Sequence, residues 1–220
     1  MRATEGPTTL LLVRHGRTAW NRTGRWHGQA DVPLDDLGAR QAIALADHMR
    51  RLRPDVVASS PLRRARDTAA TLASAMIDPP PVLLDDRLKE VDVGEWEGLV
   101  DREVLDRDPS FLAARGEDRR FSDTGESPTE CGARVASALG DLAAVHRAGL
   151  VLVVSHAYAI RAAVGTLLGW DLAPTQSLSG LFNCAHAELR AFPSGSWELV
   201  SWNNCDSRIP GQRSGEIKVL

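Results

Sequence analysis

Apolar residues in this chain fall into short unbroken runs and longer spaced runs, and the two kinds alternate. Leu10-Leu11-Leu12-Val13 is unbroken, as expected of a strand covered on both faces, which has no need to alternate. From Leu37 to Leu52 the apolar positions (Leu37, Ala42, Ile43, Leu45, Ala46, Met49, Leu52) instead make one broad helical face, and Pro54 ends it. Asp55 to Ala58 reads as a second strand. Ser59-Ser60-Pro61 then predicts a helix start, with Ser60 as cap and Pro61 in the first turn, running to about Ala75. Val82-Leu83-Leu84 is a third strand. Leu99 to Thr124 is the least ordered stretch, with a helix near 101–106 and Phe111, Leu112 and Phe121 as anchors. Ser127-Pro128-Thr129-Glu130 fits a capping box, opening a helix that sends Val135, Leu139, Leu142 and Val145 to the core and stops near Gly149. Leu150 to Val154 is the strongest strand, and a helix from Ile160 to Leu168 comes next. Two late strands, 185–192 and 197–202, flank the turn Pro193-Ser194-Gly195-Ser196. The alternation predicts an α/β fold, a three-layer α/β/α sandwich with a mostly parallel central sheet. No repeat or linker divides the chain, so 1–220 is expected to be one domain with its core at about 8–202 and a surface tail from Asn203.

The charge balance narrows the partners. With 26 Lys and Arg against 29 Asp and Glu the net charge is -3, so neither nucleic acid nor an anionic membrane is expected as the main partner. Cys131, Cys184 and Cys205 are too far apart for a C-x-x-C motif and are expected to be free thiols in a reducing compartment. Met1 to Thr9 lacks the apolar core of a signal peptide, and no apolar run nears the roughly 20 residues that span a bilayer. A cytoplasmic protein is expected, and a homodimer stays open.

The residues just beyond the strand ends are chemically distinctive. The first strand ends in Arg14-His15-Gly16, the second leads to Arg63 in the opening turn of a helix, and the strongest ends in Ser155-His156. Ligands of open α/β sheets bind outside the carboxyl ends of strands, and in a parallel sheet those ends lie on one side. Two arginines, two histidines and a helix N-terminus suit a compact dianion, with phosphate the obvious candidate because Arg pairs bidentately with its oxygens.

Four blocks of sequence carry a resemblance. Leu12-Val13-Arg14-His15-Gly16-Arg17-Thr18-Ala19-Trp20-Asn21 is the first, continued by Asp31-Val32-Pro33-Leu34, Gly38 and Gln41-Ala42. The second runs from Ser59 to Ala69 (SSPLRRARDTA), the third joins Leu88-Lys89-Glu90 to Gly94-Glu95-Trp96-Glu97-Gly98, and the fourth is Val153-Val154-Ser155-His156. In this order they resemble the histidine phosphatase superfamily, the phosphoglycerate mutase-like proteins. The resemblance implies a phosphoglycerate mutase-like fold and a metal-independent reaction that needs no cofactor. It further implies His15 as nucleophile, Arg14, Arg63 and His156 as holders of the phosphoryl oxygens, and Glu90 as proton donor and then base. Asn21 stands where family members contact the phosphate. Arg17, Thr18, Trp26, His27 and Ala157 are further substrate-side candidates. Two positions depart from the family: Ala157 replaces the usual glycine after the second histidine, and Arg17 the usual Glu or Gln.

Phosphoglycerate mutases of this family carry a tyrosine-containing segment after the third block. This chain has a single tyrosine, Tyr158, after the fourth block. Hydrolysis of a small phosphorylated metabolite is therefore the expected activity, with mutase activity or non-catalytic binding of a phospho-ligand as alternatives. Residues 99–127 are expected to flank the substrate, and Arg102, Arg107, Arg115, Arg119 and Arg120 make that stretch locally basic.

Overall fold

The computed structural model describes residues 6–111 and 116–211; Leu112 and Arg115 lie outside the described residues. Six strands, β1 (Thr8–Arg14), β2 (Val56–Ser59), β3 (Val82–Leu84), β4 (Leu150–Ser155), β5 (His186–Ala191) and β6 (Trp197–Asn204), form one sheet in the order β3-β2-β4-β1-β5-β6. The first four in that order run parallel, and β5 and β6 are antiparallel, as their short connecting turn requires. The helices are α1 (Ala19–Thr23), α2 (Asp36–Met49), α3 (Arg63–Ser74), α4 (Asp101–Arg107), α5 (Pro128–Val145), α6 (Ala157–Leu168) and α7 (Leu172–Ser177).

Strand alternation divides the core in two. Leu10 and Leu12 of β1 face α5 and α6, with Leu139, Ile160 and Ala163 among their neighbours in the cluster. Leu11 and Val13 face the opposite way, into a cluster with Leu45 and Met49 of α2 and Ala65, Ala69 and Leu72 of α3. Both sheet faces are covered, which is why the central strands carry no polar residue between their apolar ones.

The edge of the sheet where β1 ends depends on a close backbone approach. A Cβ on Gly38 would sit 2.0 Å from the Arg17 carbonyl oxygen, and one on Gly16 would sit 2.5 Å from the Gly38 carbonyl oxygen. Only glycine at both positions lets the start of α2 lie against the turn that follows β1. Asp35 caps α2 by accepting from the Gly38 N–H at 2.8 Å, and its other oxygen accepts from Arg17 Nε at 2.9 Å.

Three expectations are corrected. Helix α3 begins at Arg63, not at Ser60, and the Ser60 hydroxyl does not cap it. The carboxylate of Asp31, from the preceding loop, takes the Arg63 N–H at 2.7 Å instead, and Ser60 is buried. Val145 is exposed at the C-terminal end of α5, although Ala143 in the same turn stays buried. The segment after Asn203 is not all surface: Ile209 is buried against α2 and α3, and Gln41 Nε2 donates to the Pro210 carbonyl at 3.0 Å.

The two kinds of glycine predict opposite effects. Gly38→Ala should cost at least about 1–3 kcal/mol through overpacking against backbone. Gly140→Ala, in the middle of α5 with open space around its Cα, should stabilise by up to about 1 kcal/mol. Chemical denaturation midpoints of the two variants check both signs.

Candidate active site

Pairing between β1 and β4 sets Arg14 beside Ser155, and the His15 N–H donates to the Ser155 carbonyl at 3.1 Å. His15 and His156 therefore leave neighbouring strands together. Their rings meet edge to face with centroids 5.1 Å apart, and both are buried.

The His15 ring is held in one tautomer. Its Nδ1 lies 2.7 Å from the Gly16 carbonyl oxygen, which can only accept, so Nδ1 carries the proton and Nε2 keeps its lone pair. Burial, with Arg64 and Arg14 nearby, holds the His15 pKa well below the usual histidine value. The imidazole is thus neutral near pH 7. Behind it, Asn183 Nδ2 donates to the His15 carbonyl at 3.0 Å, and the Cys184 N–H donates to the Arg14 carbonyl at 3.0 Å.

His156 is engaged at both nitrogens. Arg64 Nε donates to its Nδ1 at 3.2 Å, which leaves the proton on Nε2, directed at Ser60 Oγ 2.9 Å away. Burial and the charge of Arg64 keep this ring neutral too. Arg64 is fully buried, donates from its two terminal nitrogens to the Ala30 carbonyl at 2.6 Å and the Gly28 carbonyl at 2.9 Å, and has its pKa pushed down to about 10 by desolvation.

Arg64, not Arg63, is therefore the arginine of the second block that reaches the site. Arg63 is exposed, and only its backbone N–H is used, by Asp31. The periodicity of α3 carried this distinction. Its buried positions are Arg64, Ala65, Thr68, Ala69, Leu72 and Ala73, so Arg64 shares the core-facing stripe and Arg63 does not. Thr68 ties the helix to the turn after β1, accepting from the Gly16 N–H at 3.1 Å and donating to the Arg64 carbonyl at 2.7 Å.

Glu90 arrives from the loop after β3. Its Oε1 accepts from the Val91 N–H at 3.0 Å and from the Ala159 N–H at 2.9 Å, while Oε2 has only a 3.4 Å contact with the Tyr158 N–H. The start of α6 thus holds one oxygen by a short bond and the other only by a long one. Arg134 of α5 fixes the backbone here, donating to the Arg87, Lys89 and Glu90 carbonyls at 2.8, 3.1 and 3.2 Å. Ala157 is the first residue of α6, and the chain there stays outside the left-handed region, so its methyl group brings no strain where the family has glycine.

Arg14, His15, Asn21, His27, Glu90 and Ala157 all line one cavity of about 100 Å³. Arg14 donates from a terminal nitrogen to the Leu181 carbonyl at 2.5 Å, and its buried Nε has no hydrogen-bond partner among the described residues. An unpaired buried N–H on a cation suits an anion placed in that cavity. Thr18 stands behind the cavity; its hydroxyl is 2.6 Å from His27 Nε2, and Asn21 Oδ1 accepts from its N–H at 3.0 Å. Trp26 touches the cavity, but its ring packs edge to face on Trp96 and Phe111, and its Nε1 donates to Asp101 at 3.0 Å. Arg17 is turned away to Asp35, which removes it from the substrate side.

The locally basic stretch is likewise directed elsewhere. Arg107 donates to the Glu95 carbonyl at 3.1 Å, while Arg119 pairs with Asp108, Arg120 pairs with Glu130, and Arg102 is exposed. Besides Arg14, the cavity's cations are Arg25 and Arg161, neither of which the sequence singled out.

The comparisons with known proteins agree with this geometry. The family model described as histidine phosphatase superfamily (branch 1) matches residues 10–205. A glucosyl-3-phosphoglycerate phosphatase from Mycolicibacterium vanbaalenii is 32% identical over 212 residues, covering 88% of this chain and 93% of that protein. A metal-independent phosphoserine phosphatase from Arabidopsis thaliana is 36% identical, covering 88% and 82%. Among solved structures, a mycobacterial glucosyl-3-phosphoglycerate phosphatase in complex with VO3 superposes with a TM-score of 0.83 at 31% identity, covering 90% of this chain and 99% of the other. Fold, order of the blocks and relatives all converge: the chain belongs to the histidine phosphatase superfamily, branch 1.

Proposed function

We propose that the protein hydrolyses small phosphate esters through a phosphohistidine at His15. The observation that carries this reading is the fixed tautomer: the Gly16 carbonyl holds the Nδ1 proton, so the Nε2 lone pair is available in a cavity also lined by Arg14, whose Nε has no partner among the described residues. Phosphoserine and glucosyl-3-phosphoglycerate, the substrates that the two relatives are named for, are both compact phosphate esters bearing a carboxylate. A cavity of about 100 Å³ favours a ligand smaller than the drug-sized molecules that occupy roughly 300 Å³ or more.

In the first step His15 Nε2 attacks phosphorus and the bond to the ester oxygen breaks. The leaving oxygen keeps that electron pair and takes a proton from Glu90 Oε2, the carboxyl oxygen that the start of α6 holds less tightly. In the second step Glu90 takes a proton from water as the water oxygen attacks phosphorus, and the pair of the P–N bond returns to Nε2. Arg14 and Arg64 stabilise charge on the phosphoryl oxygens throughout. His156 needs a change of state to join them, since Arg64 and Ser60 engage both its nitrogens. A dianion beside it favours the protonated ring, which then donates to a phosphoryl oxygen.

Rapid acid-free quenching with labelled substrate should trap one acid-labile phosphoryl group per chain, and His15→Ala should trap none; an unaltered burst in that variant would sink the proposal. Arg64→Ala should lower kcat/KM by about 10²–10³-fold, the usual loss for a preorganised donor to developing charge. Arg63→Ala should change it less than about threefold.

The buried histidines also set a pH dependence of stability. His15 and His156 lie well below their ordinary value, and His27 is pushed down to about 3, in each case chiefly by burial. The unfolded chain takes up protons near pH 6.5 while the folded site does not, so stability is lost as pH falls below that value. Each histidine should cost about 1 kcal/mol by pH 5.5. Urea melts at pH 7 and 5.5 should show this loss, and it should be smaller in His27→Gln.

A further inference from the structure

Arg64 is fixed by the loop between α1 and α2, and that loop is itself held from outside the cavity. The bonds of Arg64 to His156, Ala30 and Gly28 use three of the guanidinium's five N–H groups and leave two for phosphoryl oxygens. One of these acceptors, the Gly28 carbonyl, belongs to the same peptide unit as the Gln29 N–H. In a trans peptide those two groups point in opposite directions, and no peptide bond among the described residues is cis. On one side the carbonyl takes the Arg64 N–H at 2.9 Å, and on the other the Gln29 N–H donates to Glu97 Oε1 at 2.6 Å. Arg64 and Glu97 therefore grip one peptide from its two ends.

We propose that Glu97 is a positioning residue: through the Gly28–Gln29 peptide it aims the carbonyl that holds Arg64, and so sets the place of the guanidinium beside His156. This rests on the hydrolase reading given above. Glu97 is half-buried and does not line the cavity, so it acts through the loop and not on the ester. Its own backbone is anchored. It follows the short turn Gly94–Trp96, its N–H donates to the Gly94 carbonyl at 3.1 Å, and Trp96 is buried against Trp26 and Phe111. The approach leaves no room for a side chain at Gly28, where a Cβ would lie 2.6 Å from Glu97 Oε1 and φ is +49°. Gln29 Nε2 also donates to the Glu90 carbonyl at 3.3 Å, which ties the same loop to the segment of the proposed acid. Hydrogen bonds in line polarise one another, so the bond on the Glu97 side strengthens the one on the Arg64 side. Without it the peptide is free to rotate, and Arg64 keeps its charge but loses a fixed acceptor. A donor out of place costs chiefly in the transition state, so kcat should fall more than KM rises.

The test measures p-nitrophenyl phosphate hydrolysis by Glu97→Gln, Glu97→Asp and Glu97→Ala, each alone and combined with Arg64→Ala. Glu97→Gln keeps an acceptor oxygen at full reach and should hold kcat within about threefold of wild type. Glu97→Asp keeps the charge but is one methylene short, and both it and Glu97→Ala should lower kcat by about tenfold or more, with a smaller change in KM. In the Arg64→Ala background neither should lower kcat by more than about a further twofold, because the group that Glu97 positions is gone. Inorganic phosphate affinity, measured by calorimetry, should show the same coupling and reads it without turnover. Thermal melts identify the variants that fold, and Glu97→Asp serves where Glu97→Ala does not. Equal losses in both backgrounds, a loss in Glu97→Gln as large as in Glu97→Asp, or full kcat in a folded Glu97→Asp or Glu97→Ala overturns the proposal. So does failure of both Glu97→Asp and Glu97→Ala to fold, since Glu97 would then hold the fold and not the guanidinium. A wild-type chain that does not hydrolyse the aryl ester counts against the hydrolase reading itself. Wild-type turnover with uncoupled losses counts against Glu97 alone.

Discussion

Parallel pairing of β1 with β4 is the constraint on which this molecule depends. Once Arg14 lies beside Ser155, the two buried histidines must emerge next to each other, and Arg64 and the other cavity groups are arranged around them. The turn after β1 then has no room for a side chain at Gly16, and the start of α2 has none at Gly38. Helix α3 enters from β2 on the far side of β4 and turns its Arg64 toward His156. Glu90, whose loop hangs from the backbone carbonyls that Arg134 holds, completes the ring of groups.

The site is an electrostatic compromise. Two guanidiniums and three imidazoles are brought out of water close together, and Arg14 and Arg64 are each pushed down to about 10 by desolvation. The imidazoles respond by staying neutral, which suits the nucleophilic role proposed for His15 but leaves His156 bound to its neighbours. A phosphoryl dianion relieves both costs, because it pairs with the guanidiniums and favours charge on the ring that must donate. On the proposed reaction, the groups whose burial is costly in the free protein are the ones that would bind the substrate and its transition state.

Much of this was legible in the sequence because the relevant patterns are local. Continuous apolar runs marked the parallel strands, and the residues after them marked the edge where a ligand belongs. The capping box at Ser127 and the hairpin turn at Pro193 to Ser196 are short-range chemistry and read directly. What failed turned on partners distant in sequence. Ser60 looked like a helix cap, but Asp31 supplies that bond, while the choice of Arg63 over Arg64 overlooked the core-facing stripe of α3. Arg17 looked like a substrate contact, yet Asp35 holds it away from the cavity. Asn183 and Arg161 carried no motif at all, since their place is set only by how β5 and α6 meet the end of β1.

The bond from Arg14 to the Leu181 carbonyl joins residues 167 positions apart, and the link from Gln41 to Pro210 spans 169. A site closed by contacts of such range pays its loop-closure entropy before any of its bonds forms. A fragment that lacks either end of the chain carries the motifs without the contacts that bring them together.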